Sequence, residues 1–167
     1  MLFRSGATRI YVRIKDGGKS LIEVADDGSG IPASEVPLAV ERYSTSKLRS
    51  ADDLGAIKTL GFRGEALSSI AAVSRMELIS RHAGESVGSK LIVAGGEIGE
   101  VEPIGSTDGT TVRVRDLFYN VPARAEFLKT DSTERRWISR LIDRYADRKS
   151  TRLNSSHSSV SRMPSSA

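Results

Sequence analysis

Two alternating apolar segments joined by a glycine turn constrain this chain more than any other feature. Ile10, Val12 and Ile14 alternate with Arg9, Tyr11 and Arg13, the period of a strand with one buried face. Asp16-Gly17-Gly18 predicts a hairpin turn into a second strand around Leu21 to Val24. That strand runs directly into Asp26-Asp27-Gly28-Ser29-Gly30, so the first sheet unit ends in paired carboxylates beside glycines.

The rest of the body reads as mixed α and β. A short helix is expected near Ser34, where Pro37 is tolerable because first-turn N–H groups have no intrahelical partner. A second helix near Gly64 places Leu67, Ile70 and Ala71 on one face. Strands are expected around Met76–Ser80, Lys90–Ala94 and Thr111–Arg115. A last helix opens with Asp131 as its N-cap and Glu134 three residues on, a capping-box spacing, and carries Trp137, Ile138, Leu141, Ile142 and Tyr145 as a buried stripe. Between Tyr43 and Phe62 the periodicity lapses for roughly 20 residues, which in a compact domain points to a functional or disordered loop.

At 167 residues the chain suits one domain with a proper core. Its two histidines, His82 and His157, and its lack of cysteine argue against a zinc centre or a disulfide framework, and no metal-ligating residue is assigned. No apolar run reaches the roughly 18 residues of a membrane span, so no membrane contact is expected and a cytoplasmic location is the default. The net charge of +4 suggests nucleic acid until it is located. Arg148, Lys149, Arg152 and Arg162 supply all of the excess, and without them the body holds 21 basic and 21 acidic residues. Residues 148–167, with eight serines, are expected to be disordered and resemble translated sequencing adapter. Residues 1–5 are read as a non-native start, leaving 6–147 as the domain.

Several segments can carry chemistry, and each has a plainer reading. Asp26 at a strand end, with Gly28 and Gly30 admitting a ligand to the backbone, can accept a hydrogen bond from an exocyclic amine such as that of adenine; alone, the same residues make an ordinary turn. Gly61-Phe62-Arg63-Gly64 ahead of a helix offers N–H groups to an anion, or simply starts a helix. Thr45-Ser46-Lys47 brings two hydroxyls and an ammonium on a loop. Thr110 and Thr111 open a strand after Gly109. Arg136, Arg140 and Arg144 read as a solvated face. There is no P-loop pattern.

Taken in order, these segments resemble one family. Asp-x-Gly-x-Gly, Thr-Ser-Lys, Gly61-Phe62-Arg63-Gly64-Glu65-Ala66-Leu67, Gly-Thr-Thr and then Leu117-Phe118-Tyr119-Asn120-Val121-Pro122-Ala123-Arg124 follow the order of the MutL DNA mismatch-repair family, over about Gly6 to Ala146. The first and third occur loosely across the wider GHKL superfamily of gyrase, histidine kinases and chaperones, whereas the last points to MutL. The resemblance implies an α+β fold, a two-layer α/β sandwich of the Bergerat type with helices on one face of a mixed, largely antiparallel sheet.

It also implies ATP and Mg²⁺ as cofactors. Asp26 would bind the adenine amine, Gly28 and Gly30 would shape the adenine side, and Thr110 or Thr111 would support the contact through water. Thr45, Ser46 and Lys47 would begin the ATP lid, and Gly61, Phe62, Arg63 and Gly64 would close on the phosphates. The implied activity is ATP hydrolysis coupled to lid ordering and homodimerisation, with a MutS-like mismatch sensor and DNA as partners of the intact protein. A non-catalytic ATP-binding or docking module, or another superfamily member, is the alternative.

The family's first motif, Glu-x-x-x-Asn-x-x-Asp-Ala-Gly, ends at Gly6. Its magnesium-binding Asn then falls on Met1, its Asp on Arg4 and its Ala on Ser5, and its general-base Glu precedes residue 1. No catalytic residue is therefore assigned, and little ATP turnover is expected of this chain alone.

Overall fold

The computed structural model describes residues 5–41, 66–149 and 152–157. The strands are β1 (Arg9–Lys15), β2 (Leu21–Asp26), β3 (Arg75–Arg81), β4 (Gly88–Ala94), β5 (Glu97–Ile104), β6 (Gly109–Arg115) and β7 (Arg152–His157). The helices are α1 (Ala66–Ala71), α2 (Pro122–Ala125) and α3 (Asp131–Lys149), with short 3-10 turns at Asp16–Gly18 and Ala33–Glu35. The strands form one sheet in the order β5-β4-β3-β6-β2-β1-β7, antiparallel throughout except for β1 with β7. This is the mixed, largely antiparallel sheet expected of the fold.

Register decides which side chains meet. Met76, Val114, Ile22 and Ile14 stand opposite one another across four strands, with Val93 beyond Met76. The next row on that face is Leu78, Val112, Val24 and Val12, with Leu91 beyond Leu78. Val36 and Val40 after the second 3-10 turn, and Ala71 from α1, close over the β3–β4 side and complete the core. Val24, in contrast, keeps 39% of its surface exposed although β2 lies inside the sheet.

The opposite face is held by charge. Arg113 on β6 bonds through its guanidinium to Glu23 on β2 and to Glu77 on β3, and Arg13 on β1 reaches Glu23 at 3.1 Å. Burial pushes the Glu23 carboxyl up, but the Arg113 and Arg13 guanidiniums outweigh it and hold the group below its ordinary 4.5.

The carbonyls at the C-terminal end of α1, from Ile70 to Ser74, are each taken. Ser74 Oγ donates to the Ile70 carbonyl, Gly96 N–H to Ala71, Asn120 Nδ2 to Ala72 at 3.0 Å, Phe118 N–H to Val73 at 2.7 Å and Gly95 N–H to Ser74. Two of those donors come from the β4–β5 turn and two from Phe118 and Asn120, while Ser74 supplies the fifth itself, so the helix end is fixed largely from outside. Arg75 lies over the Tyr119 ring, 4.5 Å from its centroid. The segment Leu117–Arg124 thus has a structural task, and it accepts left-handed backbone at Phe118, two residues after a left-handed Asp116, in performing it.

Four expectations are corrected. β5 was not foreseen, because every residue from Glu97 to Pro103 is exposed and none signals a buried face; its glutamates and Pro103 suit an edge strand. α3 begins at Asp131, so the capping residue is Thr130, whose carbonyl takes the Glu134 N–H, while Glu134 Oε1 reaches back to the Lys129 N–H at 2.8 Å. The α3 stripe is not buried: Ile138 and Ile142 are half-buried, whereas Trp137, Leu141 and Tyr145 are exposed, Trp137 by 66%. The helix leans on the β1–β2 turn through its first half, so its amphipathic pattern marks an apolar face that the described residues cover only in part.

Finally, α3 continues through Lys149, and residues 152–157 pair with β1, although 148–167 was expected to carry no structure. Such pairing needs backbone groups rather than apolar side chains, which is why composition gave no sign of it. Residues 158–167 lie outside the described residues.

Two outcomes follow for stability. Arg113→Ala should lower the unfolding free energy by about 1–3 kcal/mol at neutral pH, since Glu23 would stay buried with Arg13 alone. Because the folded Glu23 pKa is lowered, its contribution is present above the unfolded value and lost as pH falls through the folded one. The difference between Arg113→Ala and the unsubstituted chain in urea titrations should therefore shrink in acid; a constant difference would refute the assignment. Asn120→Ala should cost about 0.5–1.5 kcal/mol in the same titration through loss of the Ala72 cap.

Candidate nucleotide site

The two apolar rows of the core face give way, at one end of the sheet, to a polar one. Asp26 ends β2 opposite Thr110, Thr110 stands opposite Ser80 on β3, and Ser80 stands opposite Ser89 on β4. Strand alternation puts all four on the helix-bearing face, one step beyond Leu78, Val112 and Val24. Ser80 and Ser89 are buried, and Asp26 and Thr110 are half-buried.

The adjacent acids have opposite fates. Asp27 Oδ1 accepts the Thr8 and Arg9 backbone N–H groups at 2.7 and 2.8 Å, and its Oδ2 takes the Thr8 hydroxyl at 2.7 Å and Arg9 Nε at 3.1 Å. These bonds, that from the Arg9 backbone foremost, hold its pKa well below the usual carboxylate range. Asp27 is a staple for the entry to β1. Asp26 is pushed the other way, by burial first and by the charge of Asp27, against the opposing N–H donors of Gly28 and Thr110. Its Oδ1 accepts the Gly28 N–H at 2.8 Å. A half-buried carboxylate that is costly to ionise gains from a further donor, such as the amine of a ligand.

The glycine loop that follows is drawn tightly onto β3. Gly30 has φ +71°, and a Cβ there would be driven into the Arg81 carbonyl. The Ile31 N–H donates to Ser80 Oγ at 2.8 Å, and the Ala83 N–H donates to the Ser29 carbonyl at 3.0 Å. On the other side, Gly109 has φ +110°, and a Cβ there would strike the Asp26 carbonyl. Both positions need glycine because two backbones approach without room for a side chain.

The structure therefore brings Asp26, Gly28, Gly30 and Thr110 together. Thr111 pairs across to Ala25 and Ile79, so it belongs to the opposite face of the sheet. Thr45, Ser46, Lys47, Gly61, Phe62, Arg63 and Gly64 lie outside the described residues. Ser80 was missed by the sequence reading, although a signal existed: it continues the core-facing alternation of Met76 and Leu78 with a hydroxyl. Arg136, Arg140 and Arg144 are exposed, in keeping with a solvated face.

No protein-family model matches the chain. A DNA mismatch repair protein MutL from Acidobacterium capsulatum is 52% identical over 140 residues, spanning 84% of this chain and 21% of that protein. The MutL of Agathobacter rectalis is 51% identical over 142 residues, with shares of 85% and 22%. The chain thus spans about a fifth of the length of these curated relatives.

Among solved structures, the Aquifex aeolicus MutL ATPase domain complexed with ADP superposes with a TM-score of 0.68 at 33% identity, covering 92% of this chain and 53% of that one. The N-terminal domain of a DNA repair protein gives a TM-score of 0.73 at 29% identity, over 93% and 45% of the two chains. With half of the aligned residues identical to those relatives and a fold matching the Aquifex aeolicus MutL ATPase domain, the chain belongs to the MutL family of DNA mismatch-repair proteins.

Proposed function

We propose that this chain is the nucleotide-binding part of a MutL ATPase that acts in DNA mismatch repair. The observation that carries the reading is the half-buried Asp26, destabilised as an anion and set beside Gly28, Gly30 and Thr110 at the open end of the sheet's core face. The polar pair fits an adenine edge: a carboxylate to accept from the exocyclic amine, with a hydroxyl at the paired position. Thr110 rather than Thr111 is the supporting threonine in this reading. Thr45–Lys47 and Gly61–Gly64 would supply the phosphate contacts, and ATP would provide the binding and hydrolysis energy that orders the lid. In the longer protein, that ordering would drive homodimerisation and relay a MutS-like sensor's signal to repair of DNA.

Asp26→Asn replaces one acceptor oxygen with a donor facing the amine. It should weaken ADP binding at least about 10-fold in calorimetric titration of the 167-residue chain. Affinity should also fall on acidification sooner than for an ordinary aspartate, because the raised Asp26 pKa means that the acceptor form is lost first. Unchanged affinity of Asp26→Asn would end the adenine assignment.

We further propose that Mg²⁺ is held poorly here. Met1 stands where the family resemblance puts an Asn, and a thioether is a soft ligand for a hard cation that prefers oxygen. Phosphate release from ATP by the chain should consequently be slow and respond little to added Mg²⁺. Rapid, Mg²⁺-dependent release would overturn this.

A further inference from the structure

We infer that Ser80 is a positioning residue that fixes the hydroxyl of Thr110 as an acceptor, so that the site selects a 6-amino purine over a 6-oxo purine. The inference rests on the nucleotide reading of Asp26 and deepens it.

Ser80 Oγ carries one proton and two lone pairs. It lies 3.0 Å from the Gly109 carbonyl, 2.9 Å from Thr110 Oγ1 and 2.8 Å from the Ile31 nitrogen. The carbonyl can only accept, so the Ser80 proton goes to Gly109. The Ile31 N–H can only donate, so it occupies one lone pair. The remaining contact is satisfied when Thr110 Oγ1 donates into the second lone pair. Ser80 is then saturated, as a side chain with 1% exposure must be to avoid a desolvation cost.

With its own proton committed to Ser80, Thr110 has only lone pairs to offer elsewhere. Thr110 also stands opposite Asp26 in the sheet, and the Asp26 carboxylate is an acceptor as well. Two acceptors side by side, directly or through a water, fit the amine edge of adenine. They oppose the carbonyl oxygen that guanine carries at the same place. Ser80 meanwhile ties both walls of the site to β3: Ile31 at the end of the glycine loop, and Gly109–Thr110 at the start of β6. None of this requires Ser80 to touch the nucleotide.

The test uses the 167-residue chain, with ADP and GDP as probes in calorimetric titration and with amide hydrogen exchange as a ligand-free readout. Ser80→Ala should free the Thr110 proton. ADP affinity should then fall about 3- to 10-fold while GDP affinity does not fall, so that the ADP-to-GDP preference narrows by the same factor. The Ile31 amide should exchange faster, while the amides of Leu78 and Leu91 in the core strands remain protected. Thr110→Val, which leaves Ser80 intact, should narrow the preference on its own, and adding Ser80→Ala to it should narrow it no further. Equal weakening of ADP and GDP by Ser80→Ala would reduce Ser80 to a packing role and overturn the inference, as would an unchanged preference in Thr110→Val. These failures are distinct from failure of the underlying reading, which shows instead as an Asp26→Asn variant that binds ADP normally.

Discussion

Strand register between β2, β6 and β3 is the constraint on which the rest of this structure depends. Side chains alternate faces with period two, so a slip of one residue would carry Asp26 to the opposite face and bring Ala25 into its place. The register is secured from both sides of the sheet. On the core face, Ile22, Val114 and Met76 lie in one row, and Val112 with Leu78 in the next. On the other face, Arg113 clamps Glu23 and Glu77, its neighbours on the two flanking strands. A slipped pairing would offer the core a charged row and leave the apolar rows in water. The polar row of the candidate site is therefore positioned by residues that never approach a ligand.

The same register explains why Asp26 and Asp27, identical in chemistry and adjacent in sequence, diverge. Asp26 is the last residue of β2 and keeps the strand's alternation, so it points with Val24 and Ile22. Asp27 lies just past the strand and turns back to four donors on Thr8 and Arg9. Those donors use up its acceptor capacity, whereas Asp26 is left with two backbone donors and a desolvation cost. A carboxylate whose needs are met within the protein is structural. One held short of partners at the end of the polar row keeps acceptor capacity that the protein itself does not use.

Much of this was legible in the sequence. The hairpin, β3, β4 and β6 follow from alternation, and the family motifs carried the fold and the candidate residues Asp26, Gly28 and Gly30. What was not legible has physical reasons. The β5 strand hides because an exposed edge has no buried face to create a period. The α3 helix announces an apolar stripe, but periodicity cannot say how much of it is covered, and Trp137 remains exposed. The choice between Thr110 and Thr111 depends on which of them stands opposite Asp26 in register rather than on the local Gly-Thr-Thr. The pairing of residues 152–157 with β1 rests on backbone donors and acceptors, which a serine-rich composition neither reveals nor forbids.

In the sequence, Leu117–Arg124 resembles the family more narrowly than the candidate nucleotide motifs do, and its geometry shows how much a segment distant from Asp26 has to satisfy. β6 begins at the candidate site with Gly109–Thr110 and ends where Leu117 enters the core. From there Phe118 and Asn120 cap the last turn of α1 through the Val73 and Ala72 carbonyls, while the Leu117 N–H bonds to the Lys19 carbonyl after the first hairpin turn. One short stretch thus joins the far ends of β6, α1 and the β1–β2 hairpin. Each bond needs a particular backbone direction, including a left-handed Phe118, and an amide side chain at one position. A glycine loop or a strand-end acid can be reused on many sheets, because each meets its ligand locally. A clamp that must satisfy three elements at once depends on their whole arrangement, which is why its sequence is more demanding than that of a turn.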